Sequence, residues 1–282
     1  MRPFATEKLK SLQTVPGFRY ANAIRRAGIV GAFCLPKLWQ AASWVVASRE
    51  DTNYTYSISD RNLAYLAHAV SLVTGAPYEL TSDYVAEARE DERLRTHVIR
   101  AVRQSPYRER SDARCEFGRR LGWYAFARVL KPRLIVETGV DKGHGAVLLC
   151  AALLRNAEEG SPGRYCGTDI NPRAGWLLSG AYKTVGEILY GDSITSLKKL
   201  GGPVDLFIND SDHSADYEYQ EYKTIEPKLS PGAVILGDNT RITEKLAVFS
   251  RETGRAFLYF QDEPEGHWYP GAGIGISFFP RR

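Results

Sequence analysis

Cysteine is scarce in this chain. There are four in 282 residues (Cys34, Cys115, Cys150 and Cys166), and no two stand in a CxxC spacing. The sparseness excludes a disulfide scaffold and predicts free thiols in a reducing, cytoplasmic setting. Net charge is small as well: 37 basic against 33 acidic residues leave +4, too mild a surplus for a nucleic-acid binder. Internal repeats and low-complexity segments are absent. With 44% hydrophobic and 25% charged residues, the composition excludes wholesale disorder and fibrous architectures. A chain of this length buries enough surface to fold without disulfides or a structural metal.

What charge there is lies unevenly. Residues 1–48 hold seven basic side chains (Arg2, Lys8, Lys10, Arg19, Arg25, Arg26 and Lys37) and one acid, Glu7. This basic start runs into an apolar stretch, Ala27 to Ala47, with Phe33, Leu35, Leu38, Trp39, Trp44, Val45 and Val46. A secretory signal would place its apolar run nearer the start. A transmembrane helix would tolerate Pro36, Lys37 and Gln40 poorly near its middle. Two readings stay open: a helix packed on the protein body or against a second subunit, and an interfacial helix making peripheral contact with anionic lipid through residues 1–48.

Strand signals are few before residue 130. Leu63, Leu66, Ala67, Val70 and Val73 share one helical face between Asp60 and Gly75, with Asp60 as expected N-cap. A second helix fits Ser82 to Gln104, its charged run Glu87 to Arg95 reading as a solvated face. Residues 1–111 therefore form a helical accessory region, and residues 112–282 a second domain. There the texture changes. After a helix from Cys115 to Leu130, short apolar runs begin near Arg133, Gly163, Glu187, Val204, Ala233, Ala256 and Gly273. Helical segments fall between them at Gly145–Arg155, Pro172–Thr184, Ser214–Ile225 and Thr243–Thr253. The alternation predicts an α/β fold: a doubly wound, mostly parallel seven-stranded sheet, closed by an antiparallel terminal hairpin.

In such sheets ligands bind beyond the carboxyl ends of the strands. The first strand ends in Glu137-Thr-Gly139-Val-Asp-Lys-Gly143-His-Gly145, a glycine-rich turn into a helix. An acid two residues before the first glycine would repel a pyrophosphate and favours a ligand bearing a sulfonium or amino group. The next strand ends in Asp169, placed to accept hydrogen bonds from ribose hydroxyls, and the third in Asp192, within reach of an adenine amine. The fourth and fifth end in Asp210-Ser-Asp212-His213 and Asp238-Asn239. If these strands are adjacent, Asp210, Asp238 and Asn239 form an oxygen-rich set suited to a hard divalent cation such as Mg²⁺. His213 could then take a proton from a substrate hydroxyl. The alternative is that the acids cap the helices that follow them.

Together these residues resemble the class I S-adenosylmethionine-dependent methyltransferases, whose fold is Rossmann-like. The fourth cluster resembles their divalent-metal O-methyltransferases of catechol, caffeoyl-CoA and macrolide-sugar type. The resemblance covers roughly residues 115–282. It implies S-adenosylmethionine held by Glu137, Gly139, Gly143, Gly145, Asp169, Asp192 and Asp210. It further implies a cation on Asp210, Asp238 and Asn239, with His213 in the place of the base. The expected activity is methyl transfer to a hydroxyl of a small-molecule acceptor, in an enzyme that is monomeric or a homodimer. The competing expectations are a metal-independent methyltransferase acting on nitrogen or another centre, and a non-catalytic nucleotide-binding or membrane-docking module.

Overall fold

A computed structural model describes residues 17–280. The basic residues Arg2, Lys8 and Lys10 and the acid Glu7 lie outside the described residues. Contacts divide the chain into two units, residues up to Ser48 together with Gly266–Trp268, and Arg49–Glu265 together with Tyr269–Arg282. In the first, helix α1 (Phe18–Ala47) runs for 30 residues through Pro36 and buries none of them. The apolar stretch is thus helical, but it does not show the burial that a packed core helix requires. Its Trp44 ring meets those of Trp268 and His267, with centroids 5.3 and 6.2 Å apart.

The second unit opens with α2 (Asp60–Thr74), α3 (Tyr78–Arg89) and α4 (Glu92–Gln104). Ser59, not Asp60, caps α2, its hydroxyl accepting from the Asn62 amide at 3.3 Å. The single helix expected over Ser82–Gln104 is two. Asp91 breaks it by turning its carboxylate onto the Leu94 amide at 2.9 Å, which starts a new N-terminus. Nor is the charged run wholly solvated: Glu87 accepts from the Tyr124 hydroxyl at 2.6 Å and from Arg128 Nε at 2.7 Å. The apolar faces of α2–α4 join the core formed by α5 (Arg120–Leu130) and α6 (His144–Glu158).

Seven strands follow: β1 (Leu134–Thr138), β2 (Arg164–Asp169), β3 (Gly186–Tyr190), β4 (Val204–Asn209), β5 (Leu229–Gly237), β6 (Ala256–Phe260) and β7 (Ile274–Phe278). Their order is β3-β2-β1-β4-β5-β7-β6, parallel except for β7, which runs antiparallel to both neighbours. All five residues of β1 are buried, as a central parallel strand covered on both faces requires. One apolar cluster packs under α2–α6, and a second lies on the opposite face with α7 (Ser193–Lys199), α8 (Ala215–Ile225) and α9 (Lys245–Glu252). The helix expected at Pro172–Thr184 is an irregular link ending in one 3₁₀ turn, Gly180–Thr184. Gly175 at φ 73° and Gly180 at φ 58° hold left-handed turns that a helix cannot contain. The order reverses between β1 and β4, so a crevice opens where those two strands end.

Candidate active site

A cavity of about 630 Å³ occupies that crevice, within the second unit. Its floor comes from residues that follow five parallel strands: Gly139, Asp169, Asp192, Asp210 to His213, and Asp238. Its wall comes from the segment ahead of α2, including Tyr54 and Tyr56, and from Tyr269 of the β6–β7 connection. The Tyr269 ring lies 5.2 Å from that of Tyr54 and 5.7 Å from that of Tyr56, making an aromatic face.

Gly139 has φ 79°, and a Cβ there would stand 1.8 Å from the Asp210 carbonyl oxygen. The glycine therefore lets the loops after β1 and β4 touch, which brings the two ends of the site together. Asp169 Oδ2 accepts from the Asp141 amide and Oδ1 from the Asn171 amide, both at 2.8 Å. Those bonds use two of roughly four acceptor positions on the carboxylate and leave the others toward the cavity. Asp192 Oδ2 caps α7 through the Thr195 amide at 2.7 Å, and its Oδ1 accepts from the Tyr217 hydroxyl at 2.6 Å. The Thr195 contact, followed by Tyr217, lowers its pKa. Capping and facing the cavity are compatible here.

Glu137, Gly143 and Gly145 lie behind the cavity wall. The Glu137 carboxylate accepts from the buried Tyr165 hydroxyl at 2.5 Å, and Gly145 is bare because a Cβ would stand 2.4 Å from Glu137 Oε1. Burial pushes the Glu137 carboxyl up to about 7, against the Tyr165 hydrogen bond. The loop between Gly139 and Gly143 is tied from outside. Thr52 and Asn53 donate to Asp141 Oδ2 at 2.8 and 2.7 Å, and Lys142 pairs with Asp51 at 3.0 Å. Burial resists ionisation of Asp51, but hydrogen bonds from Arg110 and Lys142 pull it down to about 2. His144 is buried with no hydrogen-bond partner at either ring nitrogen, and burial pushes it down to about 3, so it is neutral.

The β4–β5 half holds a cluster of another kind. Asp210 and Asp238 do meet, as adjacent strands require, and neither caps a helix. Their companions are cationic. Arg119 donates through Nε at 2.8 Å and through Nη2 to Asp238 Oδ1, while Arg120 Nη2 lies 4.0 Å from Asp210. Burial raises the Asp210 carboxyl well above its usual range, and the Asp238 charge adds to this. Burial would raise Asp238 too, but the Arg119 and Arg120 charges outweigh it and hold that group low. The two carboxyls thus share one proton and one negative charge. Arg119 Nη1 also donates to the Tyr56 hydroxyl at 2.9 Å, which donates to Asp262 at 2.7 Å.

Asn239 turns away from the two acids. Its Nδ2 donates to the Asp212 carbonyl at 3.1 Å, which aims its Oδ1 at His213 Nδ1. This set does not fit a divalent cation. Asp238 is engaged by the Arg119 guanidinium and Asn239 by the His213 imidazole. Arg119 and Arg120 already place positive charge beside Asp238 and Asp210. Sequence reasoning passed over both arginines, and the available signal was a basic pair heading the apolar run Leu121 to Ala127.

Residues 136–240 match the family model of a methyltransferase domain. Among solved structures the chain is similar to an O-methyltransferase of Streptomyces achromogenes involved in tomaymycin synthesis, in complex with SAM. There the identity is 16% over 68% of this chain and 91% of that one, with a TM-score of 0.47. It is also similar to an SAH-bound methyltransferase of Podospora anserina, at 17% identity over 70% of this chain and 93% of that one, with a TM-score of 0.46. No curated protein matches the chain in sequence.

Proposed function

We propose that this chain, whose residues 136–240 match the family model of a methyltransferase domain, transfers a methyl group from S-adenosylmethionine to a hydroxyl oxygen of a small-molecule acceptor. The observation that carries the reading is one cavity of about 630 Å³ lined in strand order by Gly139, Asp169 and Asp192. In this reading Asp169 accepts from the ribose hydroxyls, Asp192 stands beside the adenine, and the methionine end lies over Gly139. Glu137 acts from behind, by holding the glycine turn. When bound, S-adenosylmethionine supplies an electrophilic methyl group on a sulfonium.

The chain's own residues supply the rest. The tyrosine face of Tyr54, Tyr56 and Tyr269 excludes water and seats an apolar acceptor. His213 receives the acceptor's proton. Because Asn239 presents Oδ1, the ring proton belongs on Nδ1, which leaves the Nε2 lone pair as the base. Asn239 is a positioning residue.

Calorimetry with S-adenosylmethionine and with NAD tests the cofactor. Asp169→Ala should weaken S-adenosylmethionine by roughly 1.5–3 kcal/mol, the range for hydrogen bonds to a charged group. Unchanged affinity, or preference of the wild type for NAD, would sink the assignment. With an acceptor in hand, His213→Ala should lower turnover by about 10²–10⁴-fold and leave S-adenosylmethionine affinity intact. Asn239→Asp should shift the turnover profile to higher pH, because a carboxylate stabilises the imidazolium.

A further inference from the structure

Helix α1 has a sorted surface. At about 100° per residue, its charged and amide side chains, Arg19, Asn22, Arg25, Arg26, Lys37 and Gln40, fall within a sector of roughly 120°, which they share with the exposed Ile29 and Phe33. The facing sector, roughly 200° wide at the same pitch, holds no charged or amide side chain. It displays Ile24, Val30, Leu35, Leu38, Trp39 and Val46, which are between 59% and 87% exposed. Such a sector is far too apolar to be left to water, since surface helices bury theirs. The polar side is equally one-sided, with four basic residues and no acid in the helix. Arg19, Arg26 and Lys37 lie along one margin of the apolar sector and Arg25 along the other. From there the stems can cover apolar surface while the charges reach headgroups.

We propose that α1 is an interfacial helix that seats this chain on an anionic lipid bilayer, its apolar sector in the acyl boundary and its basic margins on the headgroups. By length and composition alone α1 could cross a membrane. A crossing helix would carry Lys37 and Gln40 into hydrocarbon near its middle. The interfacial seat buries the wide uncharged sector while keeping every charge at the headgroups, and the complementary charge selects lipid as the occupant.

Flotation of the full chain with vesicles of phosphatidylcholine, alone or mixed with phosphatidylglycerol, tests this. The chain should float with the mixed vesicles and stay behind with phosphatidylcholine alone. Arg25→Gln with Arg26→Gln should weaken the partition roughly thirtyfold, the worth of two basic residues near an anionic surface. Leu35→Glu with Leu38→Glu should abolish it. Neither pair should change the thermal midpoint, because α1 buries no residue, so a misfolded variant would be recognised. Equal flotation on both vesicle types, or none on either, overturns the proposal. Retention in membranes washed with alkaline carbonate overturns it in favour of a span. A solution dimer that the leucine pair dissociates, without vesicle binding, would show that a second copy covers the sector and would also overturn it.

Discussion

Glu137 and Asp238 are both buried carboxylates at the carboxyl end of the sheet, one in β1 and one just after β5, yet their titrations are shifted in opposite directions. Glu137 meets a tyrosine hydroxyl, and burial lifts it to about 7. Asp238 meets the Arg119 guanidinium, which overcomes the same burial and keeps the group ionised. Burial alone therefore does not decide the charge of a carboxylate here; the partner does. The half of the site around β1–β3 is built from backbone amides, hydroxyls and bare glycines, suited to a ligand that brings its own charge. The half around β4 and β5 already holds its own cations, two arginines against two acids that share a proton.

Breaking the second half should cost most. Arg119→Met leaves Asp238 ionised, buried and without its guanidinium, and also removes the donor to Tyr56. The expected loss of stability is about 3–5 kcal/mol, the range for stripping one partner from a buried ion pair, read from urea unfolding at neutral pH. The loss must depend on pH. Asp238 is held below its unfolded-state value, so the pair's contribution is present above the ordinary carboxylate range, near 3.9, and fades as pH falls through the lower folded-state value. Wild type and variant should therefore converge in acid. A constant difference down to low pH would assign the cost to lost packing instead. Pairing Arg119→Met with Asp238→Asn should return part of the stability, since the uncompensated charge goes with it.

The same contrast explains what could be read from the residues alone. Glu137, Gly139, Asp169 and Asp192 follow short apolar runs, so their placement at strand ends depends only on local periodicity and on the sheet rule. Six of the seven strands begin within a residue of the expected position. Only β5 starts earlier, at Leu229, ahead of the expected run from Ala233. The partners in the second half come from far along the chain. Arg119 is 119 residues from Asp238, and Tyr56 is 206 residues from Asp262. No spacing rule links them. The oxygen donors of Asp210, Asp238 and Asn239 were visible, while the groups that occupy them were not. The break at Asp91 and the absent helix at Pro172–Thr184 have the same origin. Apolar periodicity proposes a helix, but one capping carboxylate or two left-handed glycines end it.

Glu137 gives the smaller and sharper test. Its carboxyl titrates near 4.5 in the unfolded chain and at about 7 in the fold, so between those values the folded state holds the extra proton. Stability then falls as pH rises across that window and levels off above it, the reverse of the Asp238 case. At 1.36 kcal/mol per pH unit the full penalty is about 3 kcal/mol. Glu137→Gln keeps an acceptor for the Tyr165 hydroxyl and removes the ionisable group, at the cost of an amide placed against Gly145. That amide costs roughly 1–3 kcal/mol, the penalty of a buried donor without a partner. The variant should be less stable than wild type near pH 4 and should gain on it steadily up to about pH 7, with a constant offset beyond. The difference between the two unfolding curves isolates this one group from every other acid in the chain. A difference that does not change between pH 4 and 8 would mean that Glu137 is ionised in the fold. The two halves of the site would then hold their carboxylates in the same state, and the contrast drawn between them would fail.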